Sequence, residues 1–131
     1  MEKRKGAISA GPGLRPDNDV DFRLAFRNDW LEQFGGAQQL FVVRVEGDSM
    51  VPTLQESDTV LINKNANTIG AGGGIFAINW NNMVLVKRLQ MNPQTNEIII
   101  KSDNPNYDSM VVKPHEIQIE GKVIWYGREL R

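Results

Sequence analysis

The sequence predicts a mostly-β domain of short strands carrying one short N-terminal helix. Three observations lead there. From residue 40 onward, runs rich in β-branched and aromatic residues alternate with clusters of Gly, Asn, Asp and Pro at regular spacing. Only one segment, near the N-terminus, repeats its apolar residues with a helical period. The chain has 131 residues, a length that suits one packed core and leaves little room for two.

Taken in order, residues 1–21 contain Gly6, Gly11, Pro12, Gly13 and Pro16 and no apolar period, which predicts a flexible or extended arm. Its basic run Lys3-Arg4-Lys5 reads as a solvated tail. Phe22, Phe26, Trp30 and Phe34 then recur every four residues, with Leu24 and Leu31 beside them and Gly35-Gly36 after them, the pattern of a short amphipathic helix with a glycine stop. The strands follow: LFVVRVE (40–46), TVLIN (59–63), GIFAIN (74–79), NMVLVKRLQ (82–90), NEIII (96–100) and IQIEGKVIWYG (117–127). Asn81-Asn82, Asn92-Pro93 and Asp103 to Pro105 supply turns between them. GAGGG (70–74) lacks the Lys-Ser/Thr of a phosphate loop and reads as a flexible hairpin connection. DNDVD (17–21) and DNPNYD (103–108) lack the glycine and distal glutamate of a calcium loop and read as turns. In the last strand, Ile117, Ile119, Val123 and Trp125 fall on one face, as core or as an interface.

Composition narrows the function classes. A formal net charge of −1 and a pI of about 5.8 argue against nucleic-acid binding by general electrostatics. With no cysteine, disulfides, thiolate metal sites and cysteine nucleophiles are excluded. No apolar run approaches membrane-spanning length, and the N-terminus is unlike a secretory signal. No metal or cofactor is expected, and a cytoplasmic location is.

The segment VEGDSMVPTLQESD (45–58) raises a chemical question. Ser49 follows a predicted strand and Gly47-Asp48. It can cap a short helix with Pro52 in the first turn, or it can be a nucleophile, which requires a base to take its proton. His115 is the sole imidazole and lies in the polar loop VKPHEI, where a solvated side chain is the simpler reading. Lys87 is the better candidate. Strand periodicity puts Met83, Leu85, Lys87 and Leu89 on one face, so the lysine is flanked by leucines. Burial on an apolar face disfavours the ammonium, and a neutral amine can accept a proton. The alternative for Lys87 is a snorkelling side chain at a strand end.

Ser49 and Lys87 are separated by 38 positions. GDSM…P…D (47–58) with VKRL (86–89) at that spacing, SDNPNY (102–107) and GKVIWYGREL (121–130) together resemble the LexA-like peptidase family, also called family S24, over most of the chain. AFRNDWL (25–31) is most similar to the cI-type phage repressor branch. The resemblance implies a LexA/signal-peptidase-like β domain at residues 22–131, serving peptidase and dimerisation roles, behind an arm at 1–21. It also implies self-cleavage at an Ala-Gly or Cys-Gly bond in that arm. Ala10-Gly11 in ISAGPG (8–13) fits, since Gly11 precedes Ser49 by the same 38 positions and Ser9, Ala10 and Gly11 are small enough to enter a narrow groove.

The implied chemistry makes Ser49 the nucleophile and Lys87 the general base, a known Ser-Lys variant. The backbone N–H groups of Asp48 and Ser49 would hold the oxyanion. Implied partners are a second copy of the chain and a RecA-type co-activator. DNA would be met only through an N-terminal helix-turn-helix domain, which these residues do not include. A catalytically silent dimerisation module, a stand-alone UmuD-like SOS protein and a peptidase acting in trans are the competing functions. One departure stands out: where the family often has acid-Gly-Asp after the serine loop, this chain has Glu56-Ser57-Asp58.

Overall fold

The computed structural model describes residues 3–9 and 25–130, with side chains from residue 25 onward. The predicted class holds: the described residues are mostly strand, with one short α-helix. The elements are β1 (Lys3–Ser9), α1 (Asn28–Glu32), β2 (Leu40–Glu46), β3 (Thr59–Asn63), β4 (Gly74–Trp80), β5 (Met83–Asn92), β6 (Glu97–Lys101), β7 (Met110–Val112) and β8 (Gln118–Gly127).

The strands form a sheet in the order β1-β2-β3-β8-β4-β5-β6-β7. β1 also pairs with β5, which closes the first six strands of that order into a ring. Closure explains why the strands read as almost continuous apolar runs. In β2, Phe41, Val43 and Val45 enter a core with Met50, Leu54, Val60, Ile62, Ala77 and Val86, while Leu40 and Val42 pack outward against Leu31 and Leu61. A second core holds Phe76, Ile78, Leu85, Leu89, Ile98, Ile100 and Val112.

The helix is shorter than the aromatic stripe. Phe26 precedes it and Phe34 follows it, yet both join Trp30 and Trp125 over the outer face of β2 and β3. Phe26 meets Trp125 edge-on with ring centroids 5.1 Å apart. The glycine stop forms as expected: Gly36 N–H donates to Leu31 O and Gly35 N–H to Glu32 O, the paired bonds of a Schellman motif, with Gly35 at φ 97°. Phe22 and Leu24 lie outside the described residues.

Four features differ from the sequence expectation. β1 falls in the stretch read as an arm. Periodicity misses it because it joins by parallel backbone pairing, Ala7 to Arg44 and Ser9 to Glu46 in register. The three-residue β7 is too short to show a period. The glycine run 70–74 is not a hairpin, because β8 inserts between β3 and β4 and the run makes a crossover instead. Finally, β8 does not keep one face. Register shifts opposite Ala77/Ile78 and Leu61/Ile62 re-aim it, so Ile119 joins the second core, Val123 the first, and Trp125 the aromatic cluster. Between those shifts, the backbone of Asn63 passes so close that a Cβ on Gly121 would lie 2.4 Å from its carbonyl oxygen.

The Asn81-Asn82 turn is as predicted. Both residues have positive φ (52° and 63°), the mirror-image turn that suits a two-residue hairpin, and Trp80 pairs with Met83 across it.

Candidate active site

The serine loop leaves β2 at Gly47, whose φ of 81° turns the chain in a way that favours glycine. No helix opens there. Residues 48–54 form turns, with Val51 N–H donating to Asp48 O and Leu54 N–H to Met50 O, and Met50 and Leu54 plug the first core. Ser49 is therefore not a helix cap. It is fully buried, 0% exposed, in a loop anchored from below by two large apolar side chains.

The loop closes on an ion pair. The Asp58 carboxylate takes two bonds from Arg128, at 2.7 and 2.8 Å, and one from Gln55 N–H at 2.8 Å. Burial alone would raise the Asp58 pKa. The Arg128 guanidinium and the Gln55 N–H outweigh it and hold the carboxyl below its usual range. Ser57, where the resemblance often implies glycine, sits at φ 75°, so this loop makes a left-handed turn without the residue that adopts it most easily.

Lys87 lies in the middle of β5, opposite Phe76 of β4, on the face that carries Leu85 and Leu89 into the second core. It is 9% exposed, so it does not snorkel from a strand end. Its Nζ lies 3.1 Å from Ser49 Oγ and donates to Ser102 Oγ at 2.8 Å. Burial pushes its pKa below the ordinary ammonium value. His115 is exposed in the 3-10 turn Pro114–Glu116, and the partner of Ser49 Oγ is Lys87. Ala10 and Gly11 lie outside the described residues. Their neighbour Ser9 pairs with Leu85, two residues before Lys87 on the same strand.

Three side chains of the site, Ser102, Asn104 and Tyr107, sit in SDNPNY (102–107), a segment the sequence reads as a turn and as part of the resemblance, with none of its residues assigned to the site. Antiparallel pairing of β5 with β6 matches Arg88 to Lys101 and so carries Ser102 to Lys87. Asp103 next to it binds the Arg88 guanidinium at 2.7 and 2.8 Å and accepts from Thr53 of the serine loop at 2.5 Å. The Arg88 bonds hold its carboxyl below the usual range. Asn104 donates its Nδ2–H to Asp48 O at 3.0 Å and its backbone N–H to Ser49 O at 2.9 Å. The Tyr107 hydroxyl donates to the Asp48 carboxylate at 2.5 Å, and its ring lies 5.6 Å from Lys87 Nζ. The hairpin register is the signal that could have placed Ser102 beside Lys87 from sequence.

Beside Lys87 opens a cleft of about 190 Å³ between Trp80, Met83, Leu85, Ile100, Tyr107 and Met110. Among the described residues there is no cluster of His, Cys, Asp or Glu fit to hold a metal, and no helix long and apolar enough to cross a membrane. A hydroxyl beside a desolvated amine, walled by apolar side chains, suits acyl transfer.

The sequence profile of the family described as Peptidase S24-like matches residues 4–124. The chain belongs to that family. It is 28% identical over 124 residues to the repressor protein CI of Enterobacteria phage phi80, covering 92% of this chain and 52% of that one. It is 32% identical over 114 residues to the 26 kDa repressor protein of Escherichia phage HK022, covering 82% and 47%. Similarity to the LexA repressor of Pelagibacter ubique is 28% over 120 residues, covering 91% and 50%. The S24-like chain thus spans about half the length of these relatives.

Proposed function

We propose that this chain is the self-cleaving regulatory domain of a phage or prophage transcriptional repressor, in which Ser49 and Lys87 cut the Ala10-Gly11 bond. One observation carries the proposal: the buried Lys87 amine, held in a site that disfavours its ammonium form, lies 3.1 Å from Ser49 Oγ. The repressor relatives support the regulatory half of the reading. The pairing of Ser9 with β5 supports the substrate half, because the chain leading to Ala10 runs beside the strand of the base.

The chemistry follows from those positions. The neutral Lys87 amine takes the Ser49 proton as Oγ attacks the Ala10 carbonyl carbon. The oxyanion is met by backbone N–H groups at Asp48 and Ser49, and among the described residues neither donates to a protein acceptor. When the tetrahedral intermediate collapses, Lys87 returns the proton to the leaving amine of Gly11. Water then hydrolyses the Ala10 ester on Ser49. Residues 1–21 act as the tethered substrate and residues 22–131 as the peptidase and dimerisation domain. Tethering removes the encounter step, so control passes to the position of the arm and the charge of the lysine. A co-activator of the RecA type would work by favouring the docked, deprotonated state.

Incubation of the chain across pH 6–10, read by intact mass, tests this. The expected result is a cut between Ala10 and Gly11 at a rate that rises with pH and does not depend on protein concentration. Ser49→Ala and Lys87→Ala abolish the cut, and His115→Ala leaves it unchanged. A mass that never changes at pH 10 refutes self-cleavage and favours a silent dimerisation module. A rate proportional to protein concentration refutes the intramolecular route. Sedimentation of Ser49→Ala over a range of concentrations tests dimerisation separately.

A further inference from the structure

Asn104 is a buried amide with every polar group in use. Nδ2 donates to Asp48 O, the backbone N–H donates to Ser49 O, Oδ1 accepts from Asn106 N–H at 3.0 Å, and the backbone carbonyl accepts from Tyr107 N–H at 3.1 Å. The last two bonds fold the 104–107 turn onto itself. The first two reach across to the serine loop and grip two consecutive carbonyls on either side of Ser49. A buried asparagine satisfied this fully has one orientation available.

The consequence comes from peptide geometry. A trans peptide unit is planar, and its C=O and N–H point in opposite directions. The sole cis bond among the described residues is Val51–Pro52, so the units after Asp48 and Ser49 are trans. The carbonyl of Asp48 shares its unit with the N–H of Ser49, and the carbonyl of Ser49 shares its unit with the N–H of Met50. Tying the Asp48 carbonyl to Asn104 Nδ2 therefore turns the Ser49 N–H to the side of the loop away from Asn104 and stops that unit from rotating, while the Asn104 backbone N–H holds the Ser49 carbonyl. A fixed N–H group at the nucleophile, spared any reorganisation when charge appears, is what oxyanion stabilisation requires.

We propose that Asn104 is the positioning residue of the oxyanion site, its side-chain bond to Asp48 O aiming the N–H of Ser49 at the tetrahedral oxygen. The proposal rests on Ser49 being the nucleophile. Asn104 bonds to the Asp48 and Ser49 carbonyls, whereas Lys87 Nζ bonds to Ser49 Oγ and Ser102 Oγ, so its effect is separable from theirs.

The test compares self-cleavage of the full chain with two variants over pH 6–10. Asn104→Ala removes both side-chain bonds. Asn104→Asp keeps an oxygen for the Asn106 N–H, and so keeps the turn, but removes the donor to Asp48 O. In both, the limiting rate at high pH should fall roughly 10- to 100-fold, somewhat less than full loss of an oxyanion donor. In Asn104→Ala the pH midpoint of the rate should stay at the parent value, because the Lys87 partners are untouched. Asn104→Asp cleaving at the parent rate overturns the proposal, since turn integrity would then be all that mattered. A shifted midpoint with an intact limiting rate in Asn104→Ala overturns it in favour of a role on the lysine. A parent chain that never cuts overturns the Ser-Lys reading and this inference together, whereas a parent that cuts beside undiminished variants overturns this inference alone.

Discussion

Replacing Lys87 by methionine isolates the feature on which the chemistry depends. The substitution is made in a Ser49→Ala chain, which cannot cut itself and still buries Lys87 between Leu85, Leu89 and Ser102. Methionine keeps most of the stem length and removes the titrating nitrogen. Burial lowers the Lys87 pKa in the folded state below the ordinary value of 10.5 that holds when unfolded. Between those two values the unfolded chain binds one more proton than the folded chain. Raising the pH through that window therefore stabilises the fold, and lowering it destabilises the fold. One proton sets the limiting slope at about 1.4 kcal/mol per pH unit. The unfolding free energy of the chain that keeps Lys87, minus that of its Lys87→Met variant, should therefore rise with pH at up to that slope. It should level off above the ordinary lysine value. Urea unfolding at half-unit steps from pH 6 to 11 measures it, and every other titrating group cancels in the difference. Parallel curves would show that Lys87 titrates as it does in the unfolded chain. A difference that falls with pH would show that the site stabilises the ammonium. Either result removes the base from the proposed mechanism.

Two further outcomes follow from the same geometry. Ser102→Ala deletes an acceptor that favours the charged amine, so the cleavage midpoint should move to lower pH while the limiting rate drops, the amine having lost the bond that orients it; Ser102→Thr should restore both, read from pH–rate profiles. Ser57→Gly should stabilise the chain by about 0.5–1 kcal/mol in urea unfolding, because relief of the left-handed conformation at φ 75° exceeds the added freedom of an unfolded glycine; an unchanged or lower midpoint counts against it.

The elements most legible in the sequence are those whose signal is local. LFVVRVE and TVLIN are the strands β2 and β3 residue for residue, and Asn81-Asn82 is the hairpin it reads as, since alternation and turn chemistry act over a few neighbours. Lys87 could be singled out because an ionisable group at a period-2 apolar position signals burial by itself. Its base-like environment was therefore legible from its own strand, and its pairing with Ser49 was an expectation that rested on the resemblance.

Other features depend on which strand lies beside which. β1 shows no periodicity and exists through its pairing with β2 and β5. The glycine run 70–74 became a crossover because β8, from the far end of the chain, takes the place between β3 and β4. The face of β8 could not be read by counting in twos, because each register shift reverses the count.

The residues alone determined that this chain would close a small β domain around aliphatic strands, with a serine in a tight loop and a lysine among leucines. Tertiary structure decided that the two meet, and that Ser102, Asn104 and Tyr107 reach them from a third place in the chain. The reason is physical. Propensity and hydrophobic pattern are properties of neighbouring residues, whereas the 3.1 Å between Lys87 Nζ and Ser49 Oγ is set by the order of the strands that carry them.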